Sequence, residues 1–569
     1  MKTSFLVTLR RNLPLVIVVC VSLAMTLVNS QVFFRGLLVR PPDTVFLGTT
    51  HYFEDYFVYL SNFFQGAHGA WLTANRFTSE VTSPSIIYWS DVLMGKLGGL
   101  VGLKPIYSYN ISVILLSFVT LLTSYAVLRM LFRKQPGVAL IAFLYATFST
   151  SFMNRVTENG RTFWYPWELW KTPHYAFDRL GSVPHQLMQT LLFLLLVYVY
   201  FSHPSTKLRR RLYFLLAVVF ALALASINPV PAVMFVAALL ATAVFSAVSR
   251  FLCEYLHKKG LRASLFPWIS GKTDWLLIVS VSIAVGAMSY CLYAILNTPP
   301  HNYARIWDAQ QHMVTFWTFT LLSMGPVAFL ALAGIVPFLY YKRSPVAWFS
   351  VVLVLSSYTL FHTQIPTQLG VSQFRVLFPA LYTFIGAFAG ETTYAVAKGI
   401  TKKLRTVSQA LVMGGIVVLV MLVMLPTLVW EVKQRFLETN DTSSVLRYIP
   451  QSVYRGFVKL QALGTYDDVV LANTYSYMDT LVPSLSGHTT YSGHMLLTIN
   501  SADKSNDSGI FFILQVPQAD AARWLRDRHI RYVLFTAYDG GITRFRATYP
   551  SLIPRYENAQ VTVFEVPTE

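Results

Sequence analysis

The sequence predicts an α-helical polytopic membrane protein with about eleven transmembrane helices and a C-terminal α/β domain outside the membrane. Three observations lead to this prediction. Only 12% of the 569 residues are charged and 54% are hydrophobic, whereas an average soluble chain has about 25% charged residues. Long apolar segments recur along the first 430 residues. From residue 431 onward the apolar segments shorten and polar residues become frequent.

Eleven apolar segments are predicted to span the membrane, because about 20 apolar residues cross its hydrocarbon core as a helix. They are 13–34, 106–128, 137–153, 187–201, 212–227, 232–249, 275–296, 314–341, 345–361, 376–397 and 408–430. The predicted transmembrane domain therefore covers residues 1–430 and has two long loops, 35–105 and 154–186. The domain outside the membrane covers residues 431–569.

The net charge of +19 is distributed unevenly between the two sets of loops. One set holds 21 of the 45 Lys and Arg residues but only three acidic residues, Glu254, Asp274 and Glu391. Basic loops stay in the cytoplasm, so we expect a cytoplasmic N-terminus and a C-terminal domain on the outer face of the plasma membrane. Because topology accounts for the positive charge, nucleic acid is excluded as a partner.

The first long loop contains a predicted amphipathic helix suited to the membrane interface. Its apolar stripe is Phe53, Phe57, Leu60 and Phe64, and its polar stripe is His51, Asp55, Tyr59 and Asn62. A carboxylate here can act as a general base toward an acceptor hydroxyl or as a metal ligand. The alternative is that Glu54 and Asp55 only solvate the helix.

The second long loop combines charged and aromatic side chains. Arg side chains bind phosphate bidentately and aromatic faces stack on sugar rings, although aromatic residues are common at every membrane interface. The charged residues and histidines are Arg161, Glu168, Lys171, His174, Asp178, Arg179 and His185, and they stand among Trp164, Trp167 and Trp170. We expect a sugar or phosphate site, with interfacial anchoring as the alternative.

Arg375 is an isolated cation at the start of the tenth predicted span. A guanidinium at that depth needs an anionic partner, which is either a substrate phosphate or a lipid headgroup. A further outer loop contains His301, Asp308 and His312, which could bind a metal, but their spacing is not specific for a metal site. His488 and His494 either face a ligand or shape a turn.

The tail alternates predicted helices and strands, which is typical of a small α/β domain. Segments 452–463 and 518–530 are predicted helices. Segments 467–473 and 531–537 are predicted strands, and 561–566 is predicted to be the last, edge strand.

Three features of the chain resemble the GT-C superfamily of membrane glycosyltransferases. They are the acidic HYFEDY segment after the first span, the late Arg375-x-x-x-Pro379 element and the outer α/β tail. In detail the chain is similar to prokaryotic members related to protein mannosyltransferases and to arabinosyl or aminoarabinose transferases. The resemblance implies an enzyme that moves a sugar from a polyprenyl-phosphate donor to an acceptor protein, lipid or glycan at the outer face, inverting the anomeric carbon.

The resemblance also implies roles for particular residues. Asp55 matches the first-loop acid proposed as base or acceptor organiser, with Glu54 as its acidic neighbour, and Arg375 matches the basic residue near the carrier phosphate. We expect Lys171 and Arg179 to assist Arg375. The residues expected to contact sugar or acceptor are His51, Tyr59, Glu168, His174 and Asp178.

A divalent metal, Mg²⁺ or Mn²⁺, is left open as a cofactor. The second loop has no Asp-x-Asp pair, only Glu168 and Asp178 ten residues apart, so any metal would be held by these two and Asp55.

Three other functions remain open on the sequence. They are a lipid-linked oligosaccharide polymerase or ligase, a transporter or flippase of lipid-linked glycans, and a non-catalytic scaffold. The sequence has no Walker phosphate-binding loop, which argues against ATP-driven transport. A transporter usually has charged or broken spans, and Glu391 is the one clear charge within a predicted span.

Overall fold

The computed structural model describes residues 2–49, 53–169, 173–181, 183–202, 206–258, 274–438 and 441–568. Its first part is a helical bundle. The helices are α1 (Lys2–Asn29), α2 (Gln31–Leu38), α3 (Phe53–Ala67), α4 (Trp89–Leu100), α5 (Pro105–Leu131), α6 (Pro136–Phe148), α7 (Pro184–Phe201), α8 (Lys207–Ile227), α9 (Pro229–Lys258), α10 (Trp275–Leu296), α11 (His301–Gln310), α12 (Trp317–Met324), α13 (Pro326–Lys342), α14 (Pro345–Phe361), α15 (Ile365–Gln368), α16 (Leu381–Lys403) and α17 (Gln409–Glu438). Strands β1 (Thr44–Phe46), β2 (Met153–Glu158) and β3 (Arg161–Pro166) lie between them.

Seven helices in the described part of the chain are long and apolar enough to cross a membrane. They are α1, α5, α7, α8, α9, α10 and α17. The pair α12 and α13, bent by 106°, is an eighth if it counts as one span. Every one of the eleven predicted segments contains helix, although α6 and α14 are short. The helical membrane architecture is therefore confirmed, and the number of eleven spans is not.

Proline sets the starting point of several helices. Helices α5, α6, α7, α13 and α14 each have proline in the first turn. Proline suits this position because its φ is already helical and its missing N–H would have no partner there. At α7, Pro184 thereby places His185 in the first turn of the helix.

Residues 153–166 form a β-hairpin, although the sequence predicted no regular structure for this part of the second long loop. Strands β2 and β3 pair antiparallel from Met153–Pro166 to Glu158–Arg161. Asn159 and Gly160 form the turn with φ values of 50° and 73°, a conformation that Asn-Gly favours in two-residue hairpins. This signal was present in the sequence and was missed because the charges and aromatic residues were interpreted as a binding loop.

Helices α3 and α4 cross with their backbones in contact, and glycine makes the approach possible. A Cβ atom at Gly66 would collide with the carbonyl oxygen of Val92, and one at Gly95 would collide with that of Phe63. On the other side of α4, a Cβ at Gly98 would collide with the Ser108 side chain of α5. The first long loop is therefore a packed structure anchored on the bundle.

The position of the predicted first-loop helix at the membrane interface stays a prediction, and the structure accounts for its apolar stripe by protein contacts. The helix itself is confirmed, but it is buried against α4, α5 and the C-terminal region. Asn62 of the predicted polar stripe is only 2% exposed, and Phe53 of the apolar stripe is exposed. Because protein buries α3 on several sides, its amphipathic pattern does not reflect a boundary between lipid and water.

The C-terminal region contains a five-stranded mixed sheet with helices around it. Its helices are α18 (Gln451–Gln461), α19 (Met478–Leu485), α20 (Ser501–Phe512), α21 (Gln518–Asp527) and α22 (Ile542–Thr548). Its strands are β4 (Tyr448–Pro450), β5 (Val469–Leu471), β6 (Thr489–Thr490), β7 (Ile530–Thr536), β8 (Ile553–Glu557) and β9 (Val561–Glu565). The strand order is β6-β5-β7-β9-β8, with β5 parallel to β6 and β7 and with β9 antiparallel to β7 and β8.

The predicted helices and strands of the tail are confirmed in kind and position, with one correction. Strand β9 is not at the edge of the sheet, because β8 pairs with its outer side. The sequence analysis missed β8, whose Pro554 and exposed polar residues do not follow the apolar pattern of a buried strand. Proline is tolerated there because an edge strand has one unpaired side.

The first long loop and the C-terminal region share contacts and a core. Strand β1 pairs with β4, and segment 75–78 forms hydrogen bonds with Leu497, Thr490, Thr498 and Lys504. Phe57 of α3, Ile106 of α5 and Val470 of β5 belong to one apolar cluster. The end of the bundle that carries this core is called the sheet side below. The proposed boundary at residue 430 falls inside α17, which continues to Glu438.

Replacing Gly95 by Ala is expected to destabilise the protein by about 1–3 kcal/mol, because a methyl group in a full space forces the helices apart. Gly286 on α10 has open space around it, so Gly286→Ala serves as the matched control and should leave stability unchanged or slightly higher. Thermal unfolding of the detergent-solubilised variants measures the difference. Equal melting temperatures for both variants would contradict the close crossing.

Candidate functional site

Asp55 lies in the first turn of α3, on the sheet side of the bundle. Its Oδ1 is 3.3 Å from Nε2 of His494, and the Asp55 side chain is 50% exposed while His494 is 6% exposed. His494 Nδ1 accepts a hydrogen bond from the backbone N–H of Leu496. The network therefore assigns the ring proton to Nε2, which faces Asp55. Asp55 is thus an accessible carboxylate held in place by a buried histidine.

Three rings pack together beside Asp55. The ring of Tyr59 is 5.5 Å from that of Tyr88 and 4.7 Å from that of His185, and Tyr88 is 5.2 Å from His185. Burial and the nearby Asp55 carboxylate raise the pKa of both tyrosines above the ordinary value, so both phenols stay neutral. Tyr88 also has a positive φ of 59°, a strained conformation for a residue of its size.

Asp91 is fully buried behind these rings in the first turn of α4. Its Oδ2 is 3.2 Å from Nδ1 of His185. Burial raises the pKa of the Asp91 carboxyl, and the contact with His185 partly offsets this rise. Its other oxygen, Oδ1, has no hydrogen-bond partner among the described residues. The pair links α4 to the first turn of α7.

Arg375 lies in a 3-10 turn, Gln373–Val376, in which its neighbours Phe374 and Val376 are buried. The Arg375 side chain is 49% exposed, and it binds Asp308 of α11 with Nη2 at 2.9 Å and Nε at 3.2 Å from Oδ1. Burial lowers the pKa of Arg375, but Asp308 more than compensates and raises it. The arginine is therefore a permanent, accessible cation.

These side chains surround one region. Tyr88 is within electrostatic reach of Asp55 and Asp91 and also of Arg375 and Asp308. We call the set the Asp55–Arg375 cluster; it comprises Asp55, Tyr59, Tyr88, Asp91, His185, Asp308, Arg375 and His494. It includes a half-exposed carboxylate and a half-exposed guanidinium, whose charges both act on the buried phenol of Tyr88. That combination can remove a proton from a hydroxyl and hold an anionic group.

The sequence analysis selected Asp55, Tyr59 and Arg375 of this cluster and missed the contribution of Tyr88 and Asp91. Asp91 follows the aromatic pair Tyr88-Trp89 in the first long loop, and its position in the first turn of a helix was the available signal. His185, Asp308 and His494 were noted in the sequence without the partners that the structure gives them. Glu54 is exposed next to Asp55, whereas His51 lies outside the described residues.

The polar residues of the second long loop form a separate, buried network. Arg179 is 7% exposed and donates to the backbone carbonyls of Thr147, Ser149, Pro173 and His174. Its guanidinium also lies 4.1 Å above the ring of Tyr382. All of these partners belong to the protein, so the guanidinium ties the loop to the end of α6.

Neighbouring residues complete this network. His174 is 2% exposed and bonds through Nδ1 to Ser323 Oγ at 2.6 Å, and burial, with Arg179 nearby, lowers the pKa of His174 to about 3. Asp178 pairs with Arg435, and Glu431 accepts the N–H groups of Ala176 and Phe177. Histidine 174 is thus neutral, and these contacts give the second loop a structural role.

The structure does not bring Asp55, Glu168 and Asp178 together as metal ligands. Asp55 pairs with His494, Asp178 pairs with Arg435, and Glu168 accepts a hydrogen bond from Tyr165. Within the described ranges no group of three His, Cys, Asp or Glu side chains is close enough to hold a metal ion. The described residues therefore do not fit the predicted metal site. Lys171 lies outside them.

A cavity of about 410 Å³ lies at the opposite end of α3 from Asp55. Phe64, His68, Trp71, Arg76 and Tyr466 are among its lining residues. None of the residues of the Asp55–Arg375 cluster lines it, so this cavity is separate from the region with the accessible carboxylate and guanidinium.

No protein-family model and no curated protein matches this chain. Among solved structures, it is similar to the archaeal oligosaccharyltransferase AglB from Archaeoglobus fulgidus in complex with an inhibitory peptide and a dolichol-phosphate, with 11% identity, a TM-score of 0.47, and coverage of 98% of this chain and 75% of that one. It is similar to ArnT from Cupriavidus metallidurans bound to undecaprenyl phosphate, with 12% identity, a TM-score of 0.47 and 98% coverage of both chains.

A third similar structure is the arabinofuranosyltransferase AftD from Mycobacteria, with 13% identity and a TM-score of 0.49. The match covers 98% of this chain and 40% of that chain.

Replacing Arg179 by Lys is expected to destabilise the fold by about 3 kcal/mol, because lysine has three donors and lacks the planar fork that reaches several carbonyls. Arg155→Lys on the exposed part of β2 is the control and should leave the melting temperature unchanged. Donor-phosphate affinity is measured on the same samples. A loss of affinity for the donor phosphate without a loss of stability would show that Arg179 contributes to phosphate binding, as the sequence predicts.

Proposed function

We propose that this protein is an integral membrane glycosyltransferase of the GT-C type, which transfers a sugar from a polyprenyl-phosphate donor to an acceptor. The observation that carries the proposal is the Asp55–Arg375 cluster on the sheet side of a helical membrane bundle. A half-exposed carboxylate and a half-exposed guanidinium both exert their charge on the buried phenol of Tyr88. These are the groups that activation of a hydroxyl and departure of a phosphate require.

Asp55 is the proposed general base. His494 fixes Oδ1, and the exposed part of the carboxylate remains available to an acceptor hydroxyl. Asp55 takes the hydroxyl proton while the acceptor oxygen attacks the anomeric carbon and the bond to the phosphate oxygen breaks. A single displacement of this kind inverts the anomeric carbon. General-base catalysis contributes about 10²–10⁴-fold to such a rate.

Arg375 is the proposed partner of the donor phosphate. A guanidinium has five N–H donors, and Asp308 accepts from Nε and Nη2. Asp308 thereby orients the guanidinium while further N–H groups stay accessible. A fixed cation at the point where the phosphate gains charge stabilises the transition state without reorganisation.

The orientation of the protein in the membrane is predicted from the distribution of positive charge among its loops. The basic loops predict that the sheet side is extracytoplasmic in the plasma membrane, which places the Asp55–Arg375 cluster outside the cell. A donor held in the bilayer by its polyprenyl chain would approach laterally from the membrane lipids. The acceptor, a protein, lipid or glycan, would approach from the aqueous side.

Transport of a lipid-linked glycan is the second candidate, because one predicted span is broken between α12 and α13. Three contacts explain this break structurally. A Cβ at Gly325 would collide with the carbonyl oxygen of Thr150, and the carbonyls of Met324 and Leu322 accept from Ser149 and Phe152. The break thus holds the end of α6, and the transferase remains the better-supported function.

Replacing Asp55 by Asn is expected to lower turnover by about 10²–10⁴-fold while donor binding persists, because the shape remains and the base is lost. The measurement is sugar transfer by the full chain in detergent, with a panel of hexosyl and pentosyl polyprenyl phosphates. Glu54→Gln, at the adjacent exposed carboxylate, should lose less than about tenfold, and Asp527→Asn on α21 should be neutral.

Two outcomes would contradict the proposal. Unchanged turnover of the Asp55 variant would remove Asp55 from the chemistry. Absence of transfer by the wild-type protein with every donor in the panel would favour the transporter or the scaffold.

Replacing Arg375 by Lys is expected to weaken binding of polyprenyl phosphate by about tenfold or more, because an ammonium cannot form the bidentate contact. The binding constant of undecaprenyl phosphate in nanodiscs is the measurement, and Arg544→Lys, an exposed arginine on α22, is the control. Equal affinity in the two variants would place the phosphate elsewhere.

A further inference from the structure

The pair formed by His185 and Asp91 has no part in the mechanism above. Asp91 has no exposed surface, its Oδ2 is 3.2 Å from His185 Nδ1, and its Oδ1 has no hydrogen-bond partner among the described residues. A buried carboxylate is costly unless a cation or several hydrogen bonds compensate it. His185 is the compensating group that the described residues provide.

The geometry determines which nitrogen of His185 is free to exchange a proton. Because Nδ1 faces the Asp91 carboxylate, it carries its hydrogen, and Nε2 remains for another partner. No hydrogen bond to Nε2 is formed by the described residues. Contacts with the rings of Tyr59 and Tyr88 fix the imidazole plane, so the residue has the fixed orientation that proton transfer requires.

His185 packs against Tyr59, which is one helical turn from Asp55 on α3, and against Tyr88. The titratable groups that contact His185 are therefore Asp91, Tyr59 and Tyr88. The charges of Asp55 and Asp91, and those of Arg375 and Asp308, all act on Tyr88. Arg375, which would bind the phosphate, thus acts on a residue that His185 contacts.

We propose that His185, held by Asp91, is a second catalytic residue that protonates the departing phosphate; this role rests on the glycosyltransferase function proposed above. The bond between the anomeric carbon and the phosphate oxygen breaks, and its electron pair stays on that oxygen. Nε2 of the His185 imidazolium gives its proton to the phosphate. Asp55 takes the proton of the acceptor hydroxyl as the new bond to the anomeric carbon forms.

This step is balanced in protons and charge. The products are the glycosylated acceptor and a singly protonated lipid phosphate, and the enzyme is left with protonated Asp55 and neutral His185. Nδ1 of His185 keeps the hydrogen that it directs at Asp91. Proton exchange with water then restores the Asp55 carboxylate and the His185 imidazolium. A phosphate monoester takes up a proton with a pKa of about 6, so the departing phosphate can accept the proton that the imidazolium gives.

The test compares His185→Gln, Asp91→Asn and the control His68→Gln in the full chain, with the donor that the wild-type protein uses. His68 lines the separate cavity at the far end of α3. The expected result is a fall in kcat of about 10²–10⁴-fold for His185→Gln, little change in KM for the donor, and wild-type kcat for His68→Gln. Asp91→Asn should lose less, because the imidazole itself remains.

The dependence of kcat on pH distinguishes catalysis from a structural role. The wild-type rate should fall on the alkaline side as the imidazolium loses its proton, and His185→Gln should lose this fall. If His185→Gln is poorly folded, His185→Gly with added imidazole replaces it, and recovery of kcat supports the proposal. A variant that keeps both the wild-type kcat and the alkaline fall overturns it.

Failure of this inference is separable from failure of the proposed function. Transfer by the wild-type protein together with an unaffected His185→Gln variant removes only the role of His185. Absence of transfer by the wild-type protein removes the glycosyltransferase function and this role with it.

Discussion

The backbone contact between α3 and α4 is the constraint on which the site depends. Because Gly66 and Gly95 have no side chains, the two helices approach until carbonyl groups occupy the space of a Cβ. Tyr59 on α3 and Tyr88, the residue before α4, then meet with their ring centroids 5.5 Å apart. A fixed framework of this kind is what catalysis by positioning needs.

The second constraint is electrostatic. In a chain with few charges, the segment after the hairpin contains a buried guanidinium, and the fold satisfies it with carbonyl oxygens that the ends of helices leave free. Glu431 performs the complementary task for the N–H groups of the same segment. Arg179 and Glu431 therefore supply the hydrogen bonds that water would otherwise form at the end of the bundle. The Arg375 side chain, by contrast, remains half-exposed.

The helices could be predicted from the sequence because apolar periodicity is a local signal. Asp55 could be proposed as a site residue because a conspicuous acid is a local signal too. The sequence was insufficient for the partners of these residues. His494 and Asp55 are far apart in the chain, as are Arg179 and Tyr382, and no spacing rule connects them. The surroundings of α3 were not predictable for a related reason: an amphipathic stripe shows that one face is buried and does not show whether lipid or protein buries it. The hairpin turn, by contrast, was readable at Asn159-Gly160.

The pairing of the first long loop with the tail has a consequence for biosynthesis. Segment 75–78 finds its hydrogen-bond partners about 420 residues later in the chain, and such distant contacts form late in folding. During translation α3 and Asp55 therefore lack the contacts with the C-terminal region until that region has been synthesised. The last part of the chain to be made thus completes the surroundings of a helix near its start, and a chain truncated before Thr498 would lack these contacts.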